Sequence, residues 1–290
     1  MSANATPGRR EKGKTQNRTT FFPRFIAVVL ILLAFVGFLF YLLQPVTFTY
    51  RGMTMEAVPG VAVNRYDPDG FYTDEKGRVQ YTSKGASARA GIDVSYSQGD
   101  IDWSAVAADG VDFAIIRLGY RGYTQGAIQT DSCFYQNIQG ALDAGLDVGV
   151  YFFSQAITPE EARQEADYTL SLLESYPITC PVVYDWEPIT FAEGARTDHL
   201  EHEVLTQCAA AFCQRVAQAG YTPAVYFNQE MGYFSFDLKE LSPFQFWLAE
   251  YDSYPSFYYG FTLWQYTHEG RVDGIQTPVD WNLDFSQLKR

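Results

Sequence analysis

The rhythm of apolar and polar positions changes three times along this chain. Residues 25–43 read FIAVVLILLAFVGFLFYLL, without a charge or a strongly polar group. As a helix this run would reach about 28 Å at about 1.5 Å per residue, enough for a bilayer core. It is longer than the apolar region of about 7–15 residues in a cleaved signal peptide, and the exit at residues 44–48 offers no small-x-small cleavage site. The pattern therefore predicts an uncleaved transmembrane signal anchor. Residues 44–89 lose helical periodicity. Two stretches there, YDPDGFY from Tyr66 and DEKGRVQY from Asp74, set turn residues beside short strand-like runs. They predict a short β-rich stalk or hairpin region, with residues 83–90 (SKGASARA) as its linker.

From Gly91 strands alternate with helices. Strands are predicted at residues 91–95, 113–118 (FAIIRL), 148–153 (VGVYFF), 181–186 and 224–227. Between them fall helices containing residues 137–144, 159–174 and 202–219. Thr158-Pro159-Glu160-Glu161 makes a helix start, and Gly145 and Gly220 sit where C-terminal caps belong. Beyond residue 240 helices thin out, and strands follow at 246–249, 261–266 (FTLWQY) and 279–285. Five β/α units and three further strands predict an α/β fold, a TIM-like closed parallel barrel short of some helices. The expected organisation is a basic tail (1–24), the anchor (25–43), the stalk (44–89) and a barrel domain (90–290).

Charge sharpens this picture. The 290 residues carry a formal net charge of −13, and 47% of them are apolar. Arg9, Arg10, Lys12, Lys14, Arg18 and Arg24 face the single acid Glu11 in the tail, leaving 15 bases and 33 acids for the rest. A basic flank stays cytoplasmic, so a single-pass protein with its barrel outside the cell membrane is expected. The acidic remainder excludes a nucleic-acid-binding surface, which needs clustered Lys and Arg. Cys133, Cys180, Cys208 and Cys213 form no metal-ligand spacing; disulfides are permitted outside the cell, but buried free thiols are the favoured reading. Neither metal nor cofactor is expected.

The candidate chemistry lies in PVVYDWEP, residues 181–188. Side chains alternate along a strand, so Asp185 and Glu187 share a face and Trp186 takes the other. Both acids fall at the C-terminal end of a barrel strand, where such barrels build their sites. Asp93 and Asp280 belong to strands that become neighbours if eight strands close. Four acids at one mouth are costly as structure and useful as chemistry, because crowding and apolar surroundings raise a carboxyl pKa. A proton donor with a charged partner is what glycosidic cleavage requires. Aromatic residues are 17% of the chain. Tyr151, Tyr184, Tyr226, Trp247, Tyr251, Trp264 and Tyr266 fall on or near strand ends; about half are expected to reach the cleft, where sugar rings stack on such faces. Gln265 stands out as polar inside an apolar strand.

These residues resemble glycoside hydrolase family 25, the Chalaropsis-type lysozymes or N-acetylmuramidases. The resemblance runs through GIDVS and QGDIDW (residues 91–95 and 98–103), FAIIR (113–117), GVYFFS (149–154), DWE (185–187), WLAEY (247–251), WQY (264–266) and VDWN (279–282), in the family's order. It implies a (β/α)5(β)3 barrel and hydrolysis, with retention, of the β-1,4 bond from N-acetylmuramic acid to N-acetylglucosamine in peptidoglycan. It implies Glu187 as general acid, Asp185 as the residue that orients or stabilises the reacting group, and Asp93 and Asp280 as completing the acidic mouth. Substrate contacts are expected from Tyr151, Tyr226, Trp247, Tyr251, Trp264 and Gln265. Whether a carboxylate or the substrate's acetamido group attacks stays open. The chain departs from the family at Tyr96-Ser97, where His or Asn with an aromatic is common, and at Phe152, where a His often stands. The expected partners are glycan strands and, through the anchor, membrane lipid, with the protein a monomer. A catalytically idle glycan-binding domain and a chitinase-like retaining glycosidase are the alternative readings.

Overall fold

The computed structural model of the protein describes residues 1, 21–42 and 44–288. Most of the basic tail lies outside the described residues. The described chain divides into two compact units, Met1–Ala57 and Val58–Arg290. The first holds α1 (Phe21–Leu42) and an antiparallel hairpin of β1 (Thr47–Tyr50) and β2 (Met53–Glu56). Arg51 and Gly52 turn this hairpin with positive φ. Among the described residues no helix is long and apolar enough to cross a membrane. Side chains of α1 are described over residues 25–41, so part of the crossing helix expected over residues 25–43 falls outside them.

The second unit starts with a small antiparallel sheet of β3 (Phe71–Thr73), β4 (Val79–Ser83) and β5 (Ala86–Ser87). The barrel follows as β6 (Arg89–Val94), α2 (Trp103–Ala108), β7 (Phe113–Arg121), β8 (Ile128–Thr130), α3 (Phe134–Asp143), β9 (Asp147–Phe153) and α4 (Pro159–Leu173). It continues with β10 (Val182–Asp185), α5 (His202–Gln218), β11 (Pro223–Asn228), α6 (Gln229–Phe234), α7 (Leu238–Leu241), β12 (Gln245–Ala249), β13 (Leu263–Gly270) and β14 (Val279–Asp284). Eight strands close in the order β6-β7-β9-β10-β11-β12-β13-β14 and back to β6, with β8 extending β7 as a hairpin. Helices follow each of the first five barrel strands and none follows the last three, so the sequence-predicted mixed α/β barrel of eight strands is what forms.

One expectation needs correction. The barrel is not all parallel: β14 runs antiparallel to both β13 and β6. Residues 271–278 join β13 to β14, and so short a connection makes a hairpin, since a parallel crossover needs a dozen residues or more. The reversal matters for the site, because it brings the start of β14, with Asp280, to the rim where the parallel strands end.

Period-two alternation fills the interior. Phe113, Ile115, Val183, Ala224, Trp247 and Leu263 form a buried cluster beneath that rim. Two glycines make room for it. A Cβ on Gly91 would lie 2.4 Å from the Phe113 ring, and one on Gly149 would lie 2.5 Å from the Pro181 carbonyl.

The outward faces of β13 and β14 lack helices, and residues 58–89 cover them. Tyr66 stacks within 4.2 Å of Phe285 and 5.0 Å of Phe261, and its hydroxyl donates to the Phe261 carbonyl at 2.7 Å. Phe71 meets Trp264 edge-on at 5.4 Å. The segment that reads as stalk in the sequence is thus divided: residues 44–57 lie in the first unit, and residues 58–89 pack as part of the barrel's own unit. Turn signals show where hairpins form; they carry no information about what their aromatic faces cover.

Candidate active site

At the C-terminal rim the inward positions turn polar. Asp93, near the end of β6, pairs in register with Asp280 of β14, a spacing of about 4.5–5.5 Å between Cα atoms. Asp185 is the last residue of β10, and Glu187 follows two positions later. Gln155 donates from Nε2 to the Glu187 carbonyl at 3.0 Å and accepts at Oε1 from the Thr197 hydroxyl at 2.7 Å. This bridge fixes the chain as it leaves the strand.

Two amides hold Asp93. Gln265 and Asn282 donate to its Oδ2 at 2.9 and 2.7 Å. The amides are themselves oriented. Tyr226 and Tyr251 hydroxyls donate to Gln265 Oε1 at 2.9 and 3.0 Å, and Trp247 Nε1 donates to Asn282 Oδ1 at 2.8 Å. Asp185 is treated differently: its Oδ1 is buried with no hydrogen-bond partner. A buried unpaired carboxyl oxygen is costly, and a ligand donor at the mouth is the natural relief.

All four acids are pushed above the usual carboxylate range. Burial is the largest cause for each. Mutual repulsion adds to it: Asp280 acts on Asp93, Glu187 and Asp93 on Asp185, Asp93 on Glu187, and Glu187 on Asp280. Opposing influences separate them. The two amides favour the Asp93 anion, Arg117 favours that of Asp185, and a backbone N–H favours that of Asp280, which ends up at about 6. Glu187 is raised by burial and by Asp93 with nothing opposing. Four acids raised together cannot all ionise at once, so the mouth keeps a proton where isolated carboxyls would have lost theirs.

The substrate-contact set expected from sequence separates by face. Tyr151 is half-buried at the mouth, raised in pKa by burial and by Asp93, Asp185 and Asp280. Tyr251 is 52% exposed there. Tyr226 and Gln265 are buried and serve as the clamp on Asp93. Trp247 lies beneath the mouth, buried in the interior cluster and committed to Asn282. Trp264 points outward, fully buried against Phe71, with its Nε1 donating to the Glu250 carbonyl at 2.8 Å; next to inward Gln265 it has to face the other way. Of the other strand-end aromatics, Tyr184 faces outward too, packing on Phe212 at 5.5 Å.

Three residues were missed. Asn282 and Arg117 each interrupt an apolar strand, the signal that singled out Gln265. Arg117 Nε donates to Asp131 Oδ2 at 2.7 Å, and its guanidinium lies 4.7 Å from the centre of the exposed Tyr96 ring. Gln155 lies in a loop and gave no signal. Among the described residues no group of His, Cys, Asp and Glu is arranged to hold a metal ion.

Comparisons with known proteins give the family of the chain. The family described as "Glycosyl hydrolases family 25" matches residues 92–275. Lysozyme M1 of Streptomyces globisporus is 30% identical over 204 residues, covering 66% of this chain and 66% of that protein. An autolytic lysozyme of Clostridium acetobutylicum is 27% identical over 198 residues, covering 68% of this chain and 56% of that protein. The modular autolysin LytC from Streptococcus pneumoniae superposes with a TM-score of 0.58 at 26% identity, over 74% of this chain and 52% of that one. The chain thus spans about two thirds or less of the length of these relatives. Residues 58–91, and Asp280 and Asn282, lie outside the family match.

Proposed function

Because the chain belongs to glycosyl hydrolase family 25, we propose that it is a muramidase, cleaving the β-1,4 bond between N-acetylmuramic acid and N-acetylglucosamine in peptidoglycan. The observation that carries this reading is the convergence of Asp93, Asp185, Glu187 and Asp280, from three strands, around one mouth. Glu187 is the general acid. It is the acid whose proton nothing nearby disfavours, and it gives that proton to the departing sugar oxygen. Asp93, fixed as an acceptor by Gln265 and Asn282, keeps that proton in place by repulsion. Asp185, with its unpaired oxygen and its link to Arg117, orients the reacting group and stabilises positive charge developing at the anomeric carbon. Asp280 completes the negative field. The anomeric configuration is retained in this reading.

The same reading places the barrel outside a cell membrane. Its supports are the uncharged apolar run of residues 25–43 and the basic residues before it. One chain supplies all four acids, so a monomer suffices. The test is mass spectrometry of soluble fragments released from purified peptidoglycan. Fragments ending in reducing N-acetylmuramic acid are expected. Reducing N-acetylglucosamine ends, or no fragments, would overturn the proposal.

A further inference from the structure

A second opening lies on the helix-free side of the barrel. Between the β3–β4 turn and the outer wall of β13 and β14 runs a cleft of about 970 Å3, at the upper end of the size range for ligand sites. One of its walls, Lys76 to Val79, comes from the segment outside the family match. Tyr251, whose hydroxyl donates to Gln265 within the acidic mouth, also lines the cleft. The cleft therefore opens beside the place where the scissile bond would lie, and one exposed ring borders both.

The charges within it fall into two sets. Lys76 and Arg78 are both held by Asp109, and Arg78 also stacks on Trp281 at 4.4 Å. They make a fixed wall. By contrast, Arg271 and the carboxylates of Glu269 and Asp273 line the same cleft, and among the described residues none of them forms an ion pair; Arg271 makes one long donation, 3.4 Å, to the Gln276 carbonyl, and Asp252, also on the wall, accepts from the Ser253 N–H and hydroxyl. Either kind of group can hydrogen-bond a sugar hydroxyl, but only a charged ligand can pair with both signs, and the two carboxylates beside Arg271 disfavour a uniform polyanion. Together the three groups complement a ligand that carries carboxylate and ammonium groups on one short chain.

We propose that this cleft binds the peptide branch of the polymer whose glycan lies in the mouth, with Arg271 taking a peptide carboxylate and the acids that flank it, Glu269 and Asp273, taking its ammonium group. The inference rests on the muramidase reading and adds a determinant of which substrates are preferred. Its occupant is fixed by continuity through Tyr251, since the branch leaves the glycan where the cleavage occurs.

The full chain would be assayed on intact peptidoglycan and on the same glycan stripped of peptides by an amidase. The quantity read is the ratio of kcat/KM on the two. The wild-type ratio is expected to exceed one, and Arg271→Glu to lower it by about fivefold, the size of an exposed ion pair. The stripped glycan controls for folding, because a misfolded variant loses both activities and leaves the ratio where it was. A wild-type ratio of one overturns the proposal, and so does a ratio unchanged in an Arg271→Glu protein that keeps wild-type activity on the stripped glycan. Failure of the muramidase reading is distinguishable, since the wild type would then cleave neither polymer, and the inference would fall with it.

Discussion

Asp93 shows how much a single carboxylate is asked to do here. Two amide donors hold it, and in the proposed mechanism its charge keeps the proton on Glu187. Replacing it with Asn removes the repulsion while keeping the shape. The alkaline limb of the pH profile of kcat/KM reports loss of the Glu187 proton, so in Asp93→Asn that limb should move to lower pH; an unmoved limb would separate the two residues. Asp280 makes a prediction about stability. Its carboxyl titrates at about 6 against an ordinary 3.8. As pH rises from about 4 to 6 the unfolded chain gives up this proton before the folded one does, so stability falls across that window by up to about 3 kcal/mol. Urea melts of Asp280→Asn should show a smaller loss between pH 4 and pH 7 than the wild type. At this scale the acids were legible, because strand ends and period-two spacing announce them. Asn282 and Arg117 obeyed the rule that exposed Gln265 and could have been found with it. Trp264 misled because its aromatic character outweighed its parity: a neighbour of an inward Gln265 faces outward.

Elements place these residues, and small residues place the elements. Gly149 sits where β9 passes close to the residue that precedes β10, with Ile115 Cδ1 2.8 Å from where a Cβ would stand. Gly149→Ala should destabilise the folded chain by about 1–3 kcal/mol through overpacking, measured as a lower urea midpoint at unchanged slope. The alternation of strand and helix made the barrel readable from sequence, down to its five helical units and three bare strands. The direction of β14 was not read, although the connection of residues 271–278 is too short for a crossover. The acidic mouth survives that misreading because of it: Asp280 is the second residue of its strand, and in a parallel strand it would have stood at the opposite end of the barrel.

For the whole molecule, the consequence of leaving three strands without helices is that something else must cover them. Tyr66, Phe71 and Tyr81 do so, packing on Phe261, Trp264 and Phe285. A chain beginning at Val58 should keep the cooperative melt of its unit. One beginning at residue 90 should melt at lower temperature, because burial of even one such ring contributes about 1.5–3 kcal/mol, and because Arg89, which binds Asp147 and Asp284, is gone. Calorimetry of the two chains decides this; equal melting temperatures would return residues 58–89 to the status of a stalk. That cover was not legible, since its partners lie some two hundred positions away along the chain, as in the Tyr66–Phe261 hydrogen bond.

The central claim is that Glu187 delivers the proton at a mouth built from four acids. Its most direct test is the rate at which Glu187→Gln releases soluble fragments from purified peptidoglycan, compared with wild type at the pH of the wild-type optimum. The account predicts release below about a hundredth of wild type, the effect of losing a general acid, from a protein that folds as before. Release above a tenth of wild type from folded protein would contradict it.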